Sequence, residues 1–116
     1  MSYLPESHEL IGFFEVEPHV LDANVPWAYN TLTFRTVRGR DEITCVLIPG
    51  YEELKLEWQR DGSITARIHL VDIITMNLTV KGQEEVLTAG FRSSHVHDFK
   101  LWLKPNVAIE WGNSRY

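Results

Sequence analysis

Residues 54–70 read Leu-Lys-Leu-Glu-Trp-Gln-Arg-Asp-Gly-Ser-Ile-Thr-Ala-Arg-Ile-His-Leu, and their pattern decides the fold. Leu54, Leu56 and Trp58 alternate with Lys55, Glu57 and Gln59, which is the side-chain period of a half-buried strand. Asp61-Gly62 marks a hairpin turn. A two-residue loop would set Trp58 opposite Thr65 and Leu56 opposite Arg67, mixing the two faces. A three-residue loop, Arg60-Asp61-Gly62, pairs Trp58 with Ile64, Leu56 with Ala66 and Leu54 with Ile68. Burial agrees with every one of those pairs, so the longer loop is the expectation.

Towards the C-terminus, Ile64, Ala66, Ile68, Leu70, Ile74, Met76, Leu78 and Val80 keep the same parity. That run is too long for one strand of typical length, about 5–6 residues. Asp72 falls on the apolar parity, where an unpaired carboxylate would be costly. A bulge or bend near Val71 to Ile73 would eject Asp72 and pass the chain from one sheet to another. Lys81-Gly82-Gln83 reads as the next turn. Leu87, Ala89 and Phe91 then alternate with Thr88, Gly90 and Arg92. Two final strands, Val96 to Leu103 and Val107 to Trp111, meet across Lys104-Pro105-Asn106.

Towards the N-terminus, Leu32 and Phe34 share a face opposite Thr31, Thr33 and Arg35. Arg38-Gly39-Arg40-Asp41 is a turn, and Ile43, Cys45 and Leu47 form the apolar face of the returning strand, which Pro49-Gly50 ends. Asp22 to Trp27 reads as a loop. Residues 6–17 carry two readings. Glu9 to Glu17 reads as a strand closed by Pro18, and Glu6 to Phe13 as a short helix weakened by Gly12.

The whole chain of 116 residues, with no linker or repeat, is therefore expected to be a single β-rich domain, residues 1–116. About eight strands with turn signals every 8–12 residues imply an all-β antiparallel sandwich or flattened barrel. Mostly up-and-down connections follow from the short loops. The alternative is an α+β fold with one short N-terminal helix.

Eleven Lys+Arg against sixteen Asp+Glu leave a formal charge of −5. That balance opposes nucleic-acid binding, which draws its affinity from neutralised phosphates. It is complementary to a basic protein partner, which long-range fields would steer onto the surface. Arg35, Arg38 and Arg40 cluster beside Gly39 and read as a solvated hairpin tip. A single cysteine, Cys45, excludes an intrachain disulfide and suits a cytoplasmic location; its parity makes it a core residue. The sequence shows no signal-peptide pattern and no apolar run near the ~20 residues a membrane span requires.

His95-x-His97-Asp98 is the one local signal for a metal. On a strand the two imidazoles would share a face about 7 Å apart. Zn²⁺ there would require further ligands, with His69 or Asp72 as candidates, and two histidines at a wet strand end are common without metal. Ser93 and Ser94 precede His95 without the Gly-x-Ser-x-Gly elbow of a hydrolase. Glu52, Glu53, Glu57 and Asp61 read as a solvated face rather than an acid–base pair. Phosphate loop, dinucleotide fingerprint and Cys-x-x-Cys are all absent from the sequence, which leans the reading away from an enzyme.

Aromatic residues carry the binding expectation. Trp58 and Trp111 read as buried by parity. Trp102 lies opposite Phe99, Leu101 and Leu103, beside Lys100 and Lys104, and is either an exposed anchor or packed under the N-terminal segment. Trp27, in the Val25-Pro26-Trp27 loop, carries the same two readings, and Tyr29, Tyr51 and Tyr116 could join it at one rim. Three functions follow. The first is a non-catalytic protein-binding module of the small acidic immunity or inhibitor type, acting by surface occlusion. The second is a small-ligand or carbohydrate-binding β-domain, and the third a metal-binding protein using His95 and His97. A homodimer is compatible with all three, because open sheet edges invite pairing.

Overall fold

A computed structural model of the chain describes residues 3–112. Among these, one helix precedes nine strands: α1 (Ser7–Phe14), β1 (His19–Val20), β2 (Leu32–Arg38), β3 (Asp41–Ile48), β4 (Glu53–Arg60), β5 (Ser63–Leu70), β6 (Ile73–Lys81), β7 (Glu84–Phe91), β8 (Phe99–Lys104) and β9 (Ala108–Glu110). They form two antiparallel sheets, ordered β1-β2-β3-β4-β5 and β6-β7-β8-β9. Within each sheet neighbours in sequence are neighbours in space, the up-and-down arrangement that short loops impose. One apolar cluster draws on both sheets and on the helix, including Leu10, Phe14, Phe34, Ile43, Leu56, Met76, Leu87 and Phe99.

The chain changes sheets where the pattern requires it. β5 ends at Leu70, Asp72 takes a left-handed conformation (φ 58°), and β6 begins at Ile73. Asp72 is thereby turned into water while Leu70 and Ile73 stay buried. A further irregularity between Ile73 and Thr75 shifts the register against β7. As a result Ile73 and Met76 fill the core and Ile74, expected inside, is only half-buried.

The β4–β5 hairpin keeps the expected inner face for Leu54, Leu56, Ile68 and Leu70 but not the expected pairs. Arg60 pairs with Ser63, so the loop is the two-residue Asp61-Gly62, both at positive φ (52° and 80°). Such a turn matches strand twist. The parity conflict it creates is removed inside β5, where the register shifts between Trp58 and Gln59. Trp58 then pairs with Ala66, Leu56 with Ile68 and Leu54 with Leu70, while Ile64 faces outward beside Gln59 at 50% exposure. The bulge does what the longer loop was expected to do.

Residues 7–14 are helical rather than extended. Glu6 and Glu9 form a reciprocal capping box, and Leu10, Phe13 and Phe14 fall on one face and are buried. Gly12, the residue that weakened the helical reading, faces outward with nothing near it. Phe14 stacks on Phe34 with ring centroids 4.4 Å apart. Arg38, at the end of β2, donates to the Phe14 carbonyl (3.2 Å), one of the carbonyls a helix C-terminus leaves unpaired. It also lies 3.4 Å from the carboxylate of Glu15, which pairs in turn with Lys104 of β8. The helix is thus tied to both sheets by charge as well as by packing.

The neighbouring arginines are engaged too. Arg35 pairs with Glu42 (2.6 Å) and Arg40 with Asp61, so no free basic patch stands at that hairpin tip. Cys45 is fully buried, and burial pushes its thiol up to about 12. It is a packing residue.

The hydrogen bond from Lys104, aided by the charge of Arg38, holds the Glu15 carboxyl below the ordinary carboxylate range. A group whose folded value is depressed stabilises the protein above its unfolded value, and that contribution disappears as pH falls through the folded one. Glu15→Gln should therefore lower Tm at pH 7, and the gap from wild type should close below about pH 4. Thermal unfolding followed by circular dichroism across that range checks it.

Candidate functional site

In an antiparallel sheet alternate connections fall at opposite ends. Segments 21–31, 49–52 and 71–72 therefore share one end of the domain. Two of them contain 3-10 turns, Trp27–Tyr29 and Pro49–Tyr51. The turns lie against one another, so closely that a Cβ added at Gly50 would stand 3.5 Å from the Ala28 carbonyl. Tyr29 and Tyr51 project from this pair and are 78% and 79% exposed. Leu21 and Val71, on adjoining segments, are exposed as well.

Burial of one amide holds this surface in shape. Asn30 is 4% exposed, and its Nδ2 donates to the carbonyls of Asp22 (2.6 Å) and Val25 (2.9 Å). Its Oδ1 accepts from the N–H groups of Asp22 (3.2 Å) and Thr31 (2.9 Å). Two donors and two lone pairs are all used, which is the full capacity of an asparagine. Asp22 closes a smaller turn by accepting from the Asn24 N–H (3.0 Å). Trp27 is half-buried and packs edge-on against Phe34 at 6.2 Å, so it anchors the loop from inside. The loop is stapled at its centre and at its base.

At the same end, the Ile73 N–H donates to the Glu52 carbonyl (3.1 Å) and the Arg92 N–H to the Asp72 carbonyl (3.1 Å). Arg92 also pairs with the Glu52 carboxylate at 2.6 Å. Each of the six described arginines engages a carboxylate. Asp22 and Asp72 are exposed at this end and form no ion pair among the described residues.

Of the expected rim, Trp27, Tyr29 and Tyr51 lie on the two packed turns, Trp27 half-buried and both tyrosines exposed, while Tyr116 lies outside the described residues. Trp102 and Lys100 lie elsewhere, half-buried on the outward face of the second sheet. Trp102 borders a shallow cleft of about 290 Å³ with Glu84, Lys104 and Asn106. Trp58 is half-buried, its Nε1 donating to Asp41 (2.9 Å). Trp111, expected inside, is 48% exposed, because β9 stops at Glu110 and the ring leans on Phe91 and Phe99 from beyond the strand.

His95 and His97 are both exposed on the segment before β8 rather than on a strand, and the His97 N–H donates to the Gly112 carbonyl (3.0 Å). His69, one candidate third ligand, pairs with Glu53 instead. Among the described residues no group of three His, Cys, Asp or Glu side chains is gathered as a metal would require. No helix among them is long and apolar enough to cross a membrane.

No protein-family model matches the sequence, and no curated protein matches it. A solved structure does match the fold. A chain of a contact-dependent growth inhibition toxin–immunity protein complex from Klebsiella pneumoniae 342 superposes with a TM-score of 0.78, over 93% of each chain, at 10% sequence identity. Identity that low speaks to the fold alone.

Asn30 was not legible as a functional residue; its only signal is a loop asparagine immediately before a strand. Replacing it with alanine leaves the part-buried carbonyls of Asp22 and Val25 without their donor. A loss of about 1–3 kcal/mol is expected for Asn30→Ala, read by urea unfolding. Amide exchange should accelerate across 21–31 before it does elsewhere.

Proposed function

We propose that the chain is a non-catalytic protein-binding module of the immunity or inhibitor type, which blocks a partner by covering its surface. The observation that carries the reading is the exposed Tyr29–Tyr51 pair on two packed turns, held by the fully bonded Asn30. Large aromatics on a rigid base are the side chains that dominate interface energetics, since little entropy is lost when they are covered. The fold likeness to a chain of a toxin–immunity complex supports the same class of role. Net charge −5, with the described arginines already neutralised, favours a basic partner. A cytoplasmic toxin domain bearing lysines and arginines fits that requirement.

In this mechanism Tyr29 and Tyr51 desolvate at the centre of the contact. Asp22 and Asp72 meet cations at its rim and raise the association rate. Occlusion then follows from volume and needs no chemistry by this chain.

The experiment is co-expression with a basic toxin domain encoded beside this protein, followed by affinity measurement on the captured complex. Growth should be rescued by the wild type. Tyr29→Ala combined with Tyr51→Ala should weaken binding by at least about 30-fold. Tm should stay at the wild-type value, since both rings are exposed. Rescue and affinity untouched by the double substitution would overturn the proposed surface.

A second reading, a carbohydrate-binding domain, is favoured by one observation: Trp102 at the edge of its cleft with Lys104 and Asn106. Titration with a glycan panel should then change tryptophan emission in the wild type and not in Trp102→Phe. Flat titrations for both proteins would remove this reading.

A further inference from the structure

The outward face of β3, β4 and β5 carries a cleft of about 350 Å³ framed by Thr44, Val46, Lys55, Glu57, Arg67 and His69. Two rows of cross-strand neighbours build it. Val46 lies opposite Lys55 and Lys55 opposite His69; Thr44 lies opposite Glu57 and Glu57 opposite Arg67. Neighbours in such a row are close enough for their side chains to interact.

Charge in the cleft is unevenly satisfied. Arg67 is 3.8 Å from Glu57, and Glu57 also accepts from Gln59 Nε2 at 2.9 Å. His69 is paired with Glu53. Both carboxylates on the Lys55 strand are thus engaged by other residues. Of the other described lysines, Lys104 pairs with Glu15, while Lys81 lies opposite Glu84 and Lys100 opposite Glu110. Lys55 is the described lysine whose ladder neighbours offer no carboxylate, only Val46 and His69. Lys55 forms no ion pair among the described residues and stands over a cleft with an apolar side, in a protein of net charge −5.

We propose that this cleft binds a small organic carboxylate, its anionic group on Lys55 and its compact apolar body against Val46 and the Thr44 methyl. The volume lies within the range of small-ligand pockets, about 300–1,000 Å³. Arg67, whose pairing with Glu57 is long, is placed to turn its guanidinium toward the same anion. The site lies on a sheet face, separate from the Tyr29–Tyr51 end, and does not depend on the partner proposed there.

Benzoate, its neutral analogue benzamide and inorganic phosphate are the probes, titrated into ¹⁵N-labelled protein and followed by amide shifts. Benzoate should move the amides of residues 44–46, 55–57 and 67–69 in a saturable way, with benzamide ineffective and phosphate weaker than benzoate. Lys55→Met, a substitution at an exposed position, should keep the wild-type Tm and weaken benzoate binding roughly ten- to a hundredfold. Arg67→Gln should weaken it by less. The proposal is overturned if shifts are absent or scattered, if benzamide matches benzoate, or if Lys55→Met binds as the wild type does.

Discussion

Both halves of this domain share one interior because the chain leaves its first sheet at Val71-Asp72. The apolar parity that begins at Leu54 cannot run on through a carboxylate, and the left-handed Asp72 resolves the conflict by turning that side chain out. The reversal is secured on either side by the bonds from Ile73 to Glu52 and from Arg92 to Asp72. Those contacts reach the turn that carries Tyr51, so the device that closes the sandwich also fixes one side of the proposed binding surface. Fold and site are coupled through a few backbone bonds at one end.

Electrostatics follows a similar economy. Arg38 serves the helix C-terminus, Arg35 and Arg67 cross between strands, and Arg92 braces the sheet crossing. Pairs this exposed contribute little stability each. Their larger consequence is for the surface: the described arginines are matched locally, and the acidic excess is left to define the long-range field. In the proposed function, that field is what a basic partner would meet before the tyrosines.

The sheets were largely legible in the sequence because burial on one face imposes a period of two, and nearly every strand here obeys it. Turns were located correctly for the same reason: Gly39, Gly62 and Gly82 mark positions where the backbone takes positive φ. Register was harder. Two-residue and three-residue loops at Asp61-Gly62 differ by one position, and a bulge in β5 can repair the parity that the shorter loop breaks. The helix was ambiguous because its eight residues carry only one buried stripe, and the decisive feature is a capping box outside the apolar pattern. The packing of the two turns that carry Tyr29 and Tyr51 depends on loop geometry that the alternation pattern does not record, and Trp102 lies on the outward face of the second sheet. Asn30 could not be read, since its role depends on carbonyls that only the folded loop brings together.

The most direct measurement is hydrogen–deuterium exchange on the chain alone and in the presence of the basic toxin domain proposed as its partner. Protection should appear at residues 21–31, 49–52 and 71–72, with the outward face of β3–β5 exchanging as it does in the free protein. Protection confined to the β5 edge or to the Trp102 face, with the tyrosine turns unchanged, would contradict the account.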